Sequence, residues 1–496
     1  MLLPRYSVGA MWNRRDFLAA MAAPLAQRAG SRPNVLFLSV DDMNDWVGCL
    51  GGYPGVQTPN IDSLAKRGAL FADAHCSSPI CNPSRTALLT GWAAWRTGIY
   101  NNDQPWPPAL PDAVTLPQYF RRNGYYVAGA GKVFHHVAGH NPPSQWDDFQ
   151  LQQFDDPWYR RAEWYPWNRK IPAPAGHPFN GLHGFQGEFD WGVLPGWKEE
   201  AYGDMAAVQY GREFLKREHD KPFFLAVGLW HPHIPMYAPQ EYFDLYPPER
   251  VRLPEVPEND LDDVPEVAKK FATLRIEEHD RILREGKWRD AVRAYLACIS
   301  FADRMIGYLI EALDRSAYAK NTVVVLWSDN GWHLGEKRHW HKTTLWQRST
   351  HVPLILAGPG VEAAGTPRQQ PVSLLDLYPT LLELCSLPPR TDLDGVSFVP
   401  LLKNPAAPRN PAVSTLMRGN HAVISEKWRY IRYHDGSEEL YDRKADPNEY
   451  RNLAASRDDA KRALAKWIPK QNAPRAAERN DFDFDFGRYE FRKKPR

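Results

Sequence analysis

The sequence predicts an α/β fold: a large, mixed but mostly parallel central sheet flanked by helices, followed by a smaller C-terminal α+β subdomain. Two apolar runs carry this prediction, PNVLFLSVDD at 33–42 and NTVVVLWSDNG at 321–331. Each run is short, continuous and followed by acidic residues, which is typical of a strand buried on both faces of a parallel sheet. Helical and strand patterns alternate between the two runs, and this alternation indicates parallel βαβ units.

The elements between the two runs follow in chain order. Residues 58–71 and 115–135 each show a helical pattern, a glycine that stops it and a strand pattern. Residues 221–235 form a further buried strand that leads into a loop rich in His and Pro, and residues 291–313 form a long helix. The sequence contains no internal repeat.

Two regions depart from this alternation. Residues 141–203 contain six Trp together with many Pro, Gly and Asp, and we interpret them as an insertion over the ligand cleft. After about residue 400 the hydrophobic pattern has a period of two around a His-Asp-Gly turn, which predicts antiparallel strands. We therefore expect a main domain at 31–400 and a C-terminal antiparallel subdomain with its tail at 401–496. The final stretch, RNDFDFDFGRYEFRKKPR, fits either an edge strand or a disordered tail.

Composition narrows the classes of partner. The 496 residues include 61 Lys and Arg against 59 Asp and Glu, and this balance gives no electrostatic reason to expect nucleic acid or an anionic membrane surface. The five cysteines lie in no CxxC spacing and form no dense framework, so disulfides are not the main stabilising device. They are Cys49, Cys76, Cys81, Cys298 and Cys385.

The N-terminus has the pattern of an export signal. Arg14 and Arg15 are followed by an apolar stretch up to Ala26, which is too short to span a bilayer. This pattern is typical of a twin-arginine signal, which we assign to residues 1–30. No later apolar run reaches membrane-spanning length, so we expect a protein without a stable membrane anchor that is exported to the periplasm or the cell exterior. The cleavage site, the true start codon and the oligomeric state stay open.

Oxygen-bearing side chains follow the two apolar runs at their strand ends: Asp41 and Asp42 after the first, Asp329 and Asn330 after the second. In a doubly wound sheet the ligand crevice lies beyond the carboxyl ends of the strands, so these side chains should face one site. The carboxylates would repel one another unless a cation lay among them, and their oxygens suit Ca²⁺ or Mg²⁺. A single acidic pair commonly only caps a loop, whereas two such strand ends favour metal binding.

Cys81 lies in SSPICNPSRTALLTG, between two prolines and directly before a helical pattern. The segment has the form C-x-P-S-R followed by Thr-Gly. Four further motifs accompany it: the strand-end pair DD, a GK with a histidine three residues on, a PHIP loop and the strand end SDNG. Through these motifs the chain resembles the type I sulfatases over roughly residues 32–455, and most closely those of the iduronate-2-sulfatase type.

The resemblance implies an alkaline-phosphatase-like sulfatase fold and the hydrolysis of a sulfate ester on a sulfated carbohydrate. It further implies that a formylglycine-generating maturation enzyme oxidises Cys81 to formylglycine, whose aldehyde hydrate is the nucleophile. The hydrate at this position, with Asp41, Asp42, Asp329 and Asn330, matches the metal ligands of the family. Ca²⁺ is the expected ion and Mg²⁺ the alternative.

The remaining motif residues match other groups of the family's site. Arg85 and Lys132 would hold the hydrate oxygens and the transferring sulfuryl group through charge-assisted hydrogen bonds. His135 matches the base that takes the proton of the second hydroxyl, so that sulfate leaves and the aldehyde returns. His233 and Lys342 match residues that bind the sulfate and protonate the leaving oxygen.

Trp332 is the residue that we expect to bind the sugar ring. It directly follows the metal ligands, where its indole would stack on a sugar face, while Lys337 or Arg338 would meet a uronate carboxylate. Four other histidines have no family match, and we expect them to be structural. They are His231, His333, His339 and His341.

The chain departs from the iduronate-2-sulfatase type at two places, which leaves the sugar open. Asn330 stands where that type has a His, and Trp230 and His231 replace a His and a Lys. A sulfatase acting on a non-uronate sugar is therefore one alternative. A phosphomonoester or phosphonate hydrolase of the same superfamily is another, although a phosphatase would normally carry Ser or Thr in place of Cys81. A carbohydrate-binding protein that uses the Trp-rich region is the non-enzymatic alternative.

Overall fold

The computed structural model describes residues 32–150, 176–185 and 189–495. The predicted export signal and part of the Trp-rich insertion fall outside these residues. The described strands are β1 Asn34–Asp41, β2 Ala69–Leu70, β3 Ala74–His75, β4 Tyr126–Gly131, β5 Asp148–Gln150, β6 Trp191–Gly192, β7 Phe223–Pro232, β8 Met236–Tyr237, β9 Thr322–Ser328, β10 His333–Leu334, β11 Trp340–His341, β12 Leu354–Ala357, β13 Val372–Ser373, β14 Ala412–Leu416, β15 Asn420–Ile424, β16 Trp428–Arg432, β17 Glu438–Asp442, β18 Phe482–Asp485 and β19 Glu490–Lys493. The described α-helices are α1 Pro59–Arg67, α2 Cys81–Thr90, α3 Ala94–Thr97, α4 Trp106–Ala109, α5 Leu116–Arg122, α6 Gly203–Lys216, α7 Gln240–Asp244, α8 Glu266–Ala272, α9 Ile276–Arg284, α10 Trp288–Asp314, α11 Gln347–Thr350, α12 Leu377–Leu384, α13 Val399–Lys403 and α14 Asp458–Ala465.

A seven-stranded sheet forms the centre of the described fold, with the strand order β2-β12-β9-β1-β7-β4-β5. The five neighbouring strands from β9 to β5 run parallel, whereas β12 runs antiparallel to both β9 and β2. The sheet is mixed and mostly parallel, which confirms the predicted fold class. The patterns at 58–71 and 115–135 correspond to α1 with β2 and to α5 with β4, while 221–235 contains β7 and 291–313 lies within α10.

Strand β1 illustrates why the apolar runs of this sheet are continuous. Every residue of β1 is buried. Leu36 and Leu38 contact the apolar cluster that includes α6 and α10, whereas Val35 and Phe37 contact the cluster that includes α2 and α12. Successive side chains of a strand point to opposite faces, and here helices cover both faces. An apolar residue is therefore required at nearly every position.

The parallel strands end at one edge of the sheet, where the residues that follow them form a crevice. Strand β1 ends in Asp41, and strands β4 and β9 end in Gly131 and Ser328. The backbone after β4 passes very close to β7. A Cβ atom added to Gly228 would lie only 2.2 Å from the carbonyl carbon of Lys132. Glycine at this position of β7 thus allows Lys132 to approach the strand ends.

The C-terminal region contains an antiparallel sheet of β14, β15, β16 and β17, which are neighbours in that order. Leu464 of α14 belongs to the same apolar cluster as Val423 and Leu440 of this sheet. The final stretch forms the hairpin β18–β19, and it is neither an edge strand of the antiparallel sheet nor a tail without structure. None of the helices in the described ranges combines the length and the apolar character that crossing a bilayer requires.

Candidate active site

Cys81 lies in the crevice as the first residue of α2, and its side chain is fully buried. Its Sγ lies 2.9 Å from Lys342 Nζ, 3.9 Å from Lys132 Nζ and 3.8 Å from Asp42 Oδ1. Burial and the charge of Asp41 raise the pKa of the thiol well above its usual value. The unmodified group is therefore a poor thiolate nucleophile, although charged side chains surround it.

Three carboxylates converge beside this thiol. Asp41, Asp42, Asp329 and Cys81 each offer a potential ligand atom, and these atoms lie within 4.8 Å of one another. Asp42 has a φ of 59°, in the left-handed region, and its backbone N–H donates to Asp329 Oδ1 at 3.0 Å. The ends of β1 and β9 therefore share one crevice, as their sequence pattern predicts.

Two oxygen atoms of this cluster have the properties of metal ligands. Among the described residues, Asp42 Oδ2 and Asn330 Oδ1 are buried without a hydrogen-bond partner. Asn330 Nδ2 donates to Asp42 Oδ1 at 2.7 Å, which holds the amide and the carboxylate together. Buried oxygen atoms that lack a partner cost free energy unless a cation or a donor meets them. This donor set fits a hard divalent ion such as Ca²⁺ or Mg²⁺.

Burial and neighbouring charges shift the pKa values of the three carboxylates in different directions. Burial raises the pKa of Asp42 to about 7, despite the ammonium of Lys342. Burial also raises the pKa of Asp329, against the effect of Arg85. In Asp41 the burial effect is outweighed by the nearby Lys and Arg charges, which lower the pKa to about 2. Asp42 is thus the carboxylate whose charged form gains most from a bound cation.

Nitrogen donors line the same crevice. Lys132 Nζ forms an ion pair with Asp41, and Lys342 Nζ forms one with Asp42. His233 Nδ1 donates to the carbonyl of the next residue at 2.6 Å, and its Nε2 faces Asp42 Oδ2 at 3.6 Å. Two ammonium groups and an imidazole around Cys81 suit the binding of a tetrahedral oxyanion.

Arg85 has a different set of partners from the one that the family resemblance implies. Its guanidinium is fully buried and donates to the carboxylates of Asp41 and Asp329 at 3.2 and 2.7 Å. It also donates to the backbone carbonyls of Val40 and Val133 at 3.2 and 3.1 Å. Arg85 therefore holds the carboxylates in place and has no donor directed at a substrate in this arrangement.

His135 lies beside two further imidazoles. Its ring centre lies 4.5 Å from that of His136 and 5.4 Å from that of His140. It is 4% exposed, and its Nδ1 has no hydrogen-bond partner among the described residues. Burial, followed by the effect of His136, lowers the pKa of His135 well below its usual value. The ring is therefore neutral and a weaker base than a free imidazole.

Trp332 does not offer the stacking surface that the sequence predicts. It is only 1% exposed, its ring centre lies 4.7 Å from that of His341, and Lys342 Nζ lies 5.5 Å from its ring centre. The prediction was wrong because the loop after β9 turns this indole into the protein. Trp332 packs behind Lys342 and has no free face for a sugar.

The basic residues expected to meet a uronate carboxylate pair with the protein's own acids instead. Lys337 is 2% exposed and contacts Asp260 at 2.5 Å, while the exposed Arg338 contacts Asp280 at 3.1 Å. The four histidines without a family match all have a ring nitrogen bonded within the fold, as expected of structural residues. They are His231, His333, His339 and His341.

Trp230 is a candidate site residue that the sequence analysis noted but did not assign. This half-buried side chain follows the end of the β7 apolar run. Its ring centre lies 4.4 Å from Lys132 Nζ and 4.5 Å from the ring centre of His233. The signal available in the sequence was its position directly before the HPHIP segment, at the carboxyl edge of a buried strand.

Comparisons with known proteins agree with this geometry. Residues 33–387 match the Sulfatase family, and residues 335–471 match the family N-sulphoglucosamine sulphohydrolase, C-terminal. A sulfatase of Formosa agariphila is 38% identical over 472 residues, covering 92% of this chain and 90% of that protein. The choline-sulfatase of Rhizobium meliloti is 31% identical, with 85% and 82% covered. Human iduronate 2-sulfatase is 32% identical, with 72% and 70% covered.

The fold is also shared with solved structures. The phosphonate monoester hydrolase of Agrobacterium radiobacter superposes with a TM-score of 0.69 at 23% identity, covering 88% of this chain and 94% of that one. At this level of identity the likeness shows the fold alone, so the family assignment depends on the sequence matches and on the motif residues gathered around Cys81. On this evidence the chain belongs to the type I sulfatase family and is a sulfuric ester hydrolase.

Proposed function

We propose that this sulfatase removes sulfate from a sulfated carbohydrate in the periplasm or outside the cell. The proposal includes formylglycine formed from Cys81 and a Ca²⁺ or Mg²⁺ ion held by Asp41, Asp42, Asp329 and Asn330. One observation carries it: Cys81 Sγ lies 2.9 Å from an ammonium group and 3.8 Å from a carboxylate of the buried cluster. A cysteine in such surroundings, at the start of a C-x-P-S-R segment, is placed to become the reacting group.

The charges of the crevice support this chemistry. Three buried carboxylates are matched by three cationic side chains, Arg85, Lys132 and Lys342. A divalent ion adds two positive charges, and these match one charge on a sulfate monoester and one on a deprotonated nucleophile. The loaded site then approaches neutrality, which lowers the cost of burying all of these groups.

The two expected groups have separate tasks. Formylglycine at position 81 supplies an aldehyde hydrate whose hydroxyl can attack sulfur. A divalent ion held by the carboxylates would supply positive charge for the sulfate group and for the attacking hydroxyl. Arg85 keeps Asp41 and Asp329 in the geometry needed to hold that ion. Lys132 Nζ, at 3.9 Å from Cys81 Sγ, is placed to neutralise a sulfate oxygen.

Turnover also needs two proton transfers, which we assign to different residues. Lys342 Nζ lies beside Cys81 and can protonate the oxygen of the leaving alcohol. His135, the histidine three residues after the GK motif, matches the family's base for the proton whose loss expels sulfate and restores the aldehyde. His233 presents Nε2 to the crevice and can bind a sulfate oxygen.

Trp230 supports a carbohydrate rather than choline as the leaving alcohol. The relatives' names point to both kinds of alcohol, a uronate sugar and choline. The carbon-bound hydrogens of a sugar stack favourably on an indole. A choline ammonium would also be attracted to an indole, but Lys132 Nζ already lies 4.4 Å from the centre of this ring and would repel a second cation.

Two measurements test the proposal together. Mass spectrometry of the tryptic peptide 68–85, after expression with the maturation enzyme, should show the mass loss of a thiol replaced by an aldehyde. The same preparation should then desulfate at least one member of a panel of defined sulfated disaccharides, with and without uronate. Turnover of choline sulfate or of a phosphonate monoester in preference to every sugar would replace the proposed substrate class.

Export is a further part of the proposal, and the twin arginine pair Arg14 and Arg15 supports it. Twin-arginine transport carries folded protein, whereas the maturation enzyme needs an accessible, unfolded Cys81 segment. Oxidation of Cys81 should therefore precede folding, and both should precede export. Replacing both arginines by lysine should leave mature enzyme in the cytoplasm, as detected by fractionation. Unimpaired export of that variant would contradict the assignment.

A further inference from the structure

We propose that the C-terminal hairpin β18–β19 positions the loop that carries His135. The inference rests on the proposed function, because it takes His135 as the base that releases sulfate. The family matches end at residues 387 and 471, so the hairpin lies beyond the regions that this chain shares with either family. The structure nevertheless places this segment against the active-site loop rather than away from the protein.

The chain reaches that loop along a defined path. After residue 471 it runs beside α3 and the residue that follows it: the N–H of Ala473 donates to the carbonyl of Trp95 at 2.7 Å, and that of Ala476 donates to the carbonyl of Gly98 at 2.9 Å. Gln104 Nε2 also donates to the carbonyl of Ala476 at 2.7 Å. These three hydrogen bonds to the backbone fix the entry to the hairpin, so its position does not depend on surface contacts alone.

The hairpin and Arg479, which lies just before it, contact the loop directly. Arg479 donates to the carbonyl of Ala138 at 2.7 Å, and the N–H of Gly139 donates to the hydroxyl of Tyr489 at 3.2 Å. The rings of Phe484 and Phe491 pack directly against Gly139. A Cβ atom added to Gly139 would lie 2.4 Å from the ring of Phe491 and 2.9 Å from that of Phe484. Only a glycine permits this approach, and its φ of 93° is also one that other residues rarely adopt.

Trp106 holds the loop from another side. Its ring stacks on Phe134 at 5.2 Å between centres, and its Nε1 donates to the carbonyl of His140 at 2.9 Å. Among the described residues the His135 ring has no hydrogen-bond partner at Nδ1, so its orientation depends on packing against His136 and His140. Loss of Arg479 together with the hairpin removes two hydrogen bonds and the aromatic cover from this loop, which should let the ring leave its productive orientation.

The test compares four variants with wild type. A stop after Glu478 removes Arg479 together with the hairpin, and Arg479→Ala combined with Tyr489→Phe removes the two hydrogen bonds while the hairpin stays. Arg492→Ala is the matched control, because Arg492 pairs with Asp485 inside the hairpin. The readouts are steady-state hydrolysis of 4-nitrophenyl sulfate and hydrogen exchange of residues 134–140, followed by mass spectrometry.

We expect both test variants to exchange amide hydrogens faster in 134–140 and to lose about 10- to 100-fold in kcat, with KM changed by less than about twofold. Arg479→Lys in the Tyr489→Phe background should recover part of kcat, and Arg492→Ala should match wild type. Unchanged exchange in the double variant would overturn the positioning contact, whether or not the truncated chain folds. Faster exchange in the double variant with the kcat of wild type would show that the contact is not important for catalysis. Wild type that desulfates neither the aryl sulfate nor any of the sulfated disaccharides would instead contradict the proposed function, and hydrogen exchange does not depend on turnover.

Discussion

Lys342 Nζ lies 2.9 Å from Cys81 Sγ, although 261 residues separate the two in the chain. The backbone around Lys342 brings about this approach. His341 and Thr343 have φ values of 74° and 76°, so the chain bends through the left-handed region on both sides of Lys342. The N–H of Thr343 also donates to the carbonyl of Pro79, close to Cys81, at 3.2 Å. Backbone strain of this kind is common where a fold holds a functional side chain in place.

The first prediction concerns the role of Lys342 as an acid. In Lys342→Met, kcat/KM should fall by about 100-fold or more on a sulfated sugar and by about 10-fold or less on 4-nitrophenyl sulfate. The difference arises because an alcohol leaves poorly without a proton, whereas nitrophenolate leaves readily. Steady-state kinetics on both substrates provides the measurement, and Lys320→Met is the control for a lysine outside the site. Equal losses would assign Lys342 to sulfate binding alone.

The second prediction concerns Cys81. Cys81→Ser should fold and accept one sulfuryl group at most, because a serine sulfate ester cannot be expelled through an aldehyde. Multiple turnover should therefore be lost, whereas Cys49→Ser, which changes a cysteine outside the crevice, should retain it. The measurement is product formed per enzyme molecule together with Tm. Multiple turnover at the wild-type rate in Cys81→Ser would exclude the formylglycine mechanism.

The third prediction concerns the metal. Asp329→Asn preserves the shape of the side chain but removes a charged oxygen that faces Asp41 and Asp42 across the crevice. Bound Ca²⁺ or Mg²⁺, measured by elemental analysis, should be lost, and kcat/KM should fall by about 100-fold or more. Asp376→Asn, which lies outside this cluster, should keep both. A metal content in Asp329→Asn equal to that of wild type would show that Asp329 does not hold the ion.

The sequence was a good guide to the fold where a residue pattern has one dominant physical cause. The run at 33–42 could be assigned to a doubly covered strand because both of its faces are apolar, and the helices packed on β1 show that covering. For the C-terminal stretch the sequence allowed two interpretations, an edge strand or a disordered tail, and the structure shows a hairpin. Its alternating pattern shows that it is extended but does not identify its partner, which is the 138–139 loop more than 340 residues away.

The site shows the same division. The strand-end acids were predictable, because the carboxyl edge of a parallel sheet gathers residues from distant strands. The roles of Arg85 and Trp332 were not, because a motif gives a residue's place in the chain but not the partners of its side chain. Arg85 uses its donors on two carboxylates and on backbone carbonyls, and Trp332 turns inward. Both outcomes depend on packing that sequence spacing does not contain.

The fourth prediction concerns pH. Burial lowers the pKa of His341 to about 4, although its Nε2 donates to Glu278 at 3.0 Å. The unfolded imidazole has a pKa of about 6.5, so between pH 6.5 and 4 the unfolded chain binds a proton that the folded chain does not. Stability is therefore lost as the pH falls through that window.

In His341→Asn the loss of unfolding free energy between pH 7 and pH 5 should be smaller than in wild type by about 1–2 kcal/mol. Urea denaturation at the two pH values measures it, and His434→Asn, which changes an exposed histidine, serves as the control. An identical pH effect in wild type and His341→Asn would show that this histidine does not carry the acid sensitivity.

The last prediction separates Trp230 from Trp332. If the sugar ring stacks on the half-buried Trp230, Trp230→Ala should lower kcat/KM on a sulfated disaccharide by about 10-fold, mainly through KM. The Tm of this variant should be nearly unchanged. Trp332→Ala removes a fully buried ring and should cost about 3–5 kcal/mol of unfolding free energy, with similar kinetic losses on sulfated sugars and on small alkyl sulfates. Trp230→Phe should keep most of the activity because it retains an aromatic face. A Trp230→Ala enzyme with the wild-type KM for every sugar would show that the sugar does not stack on Trp230.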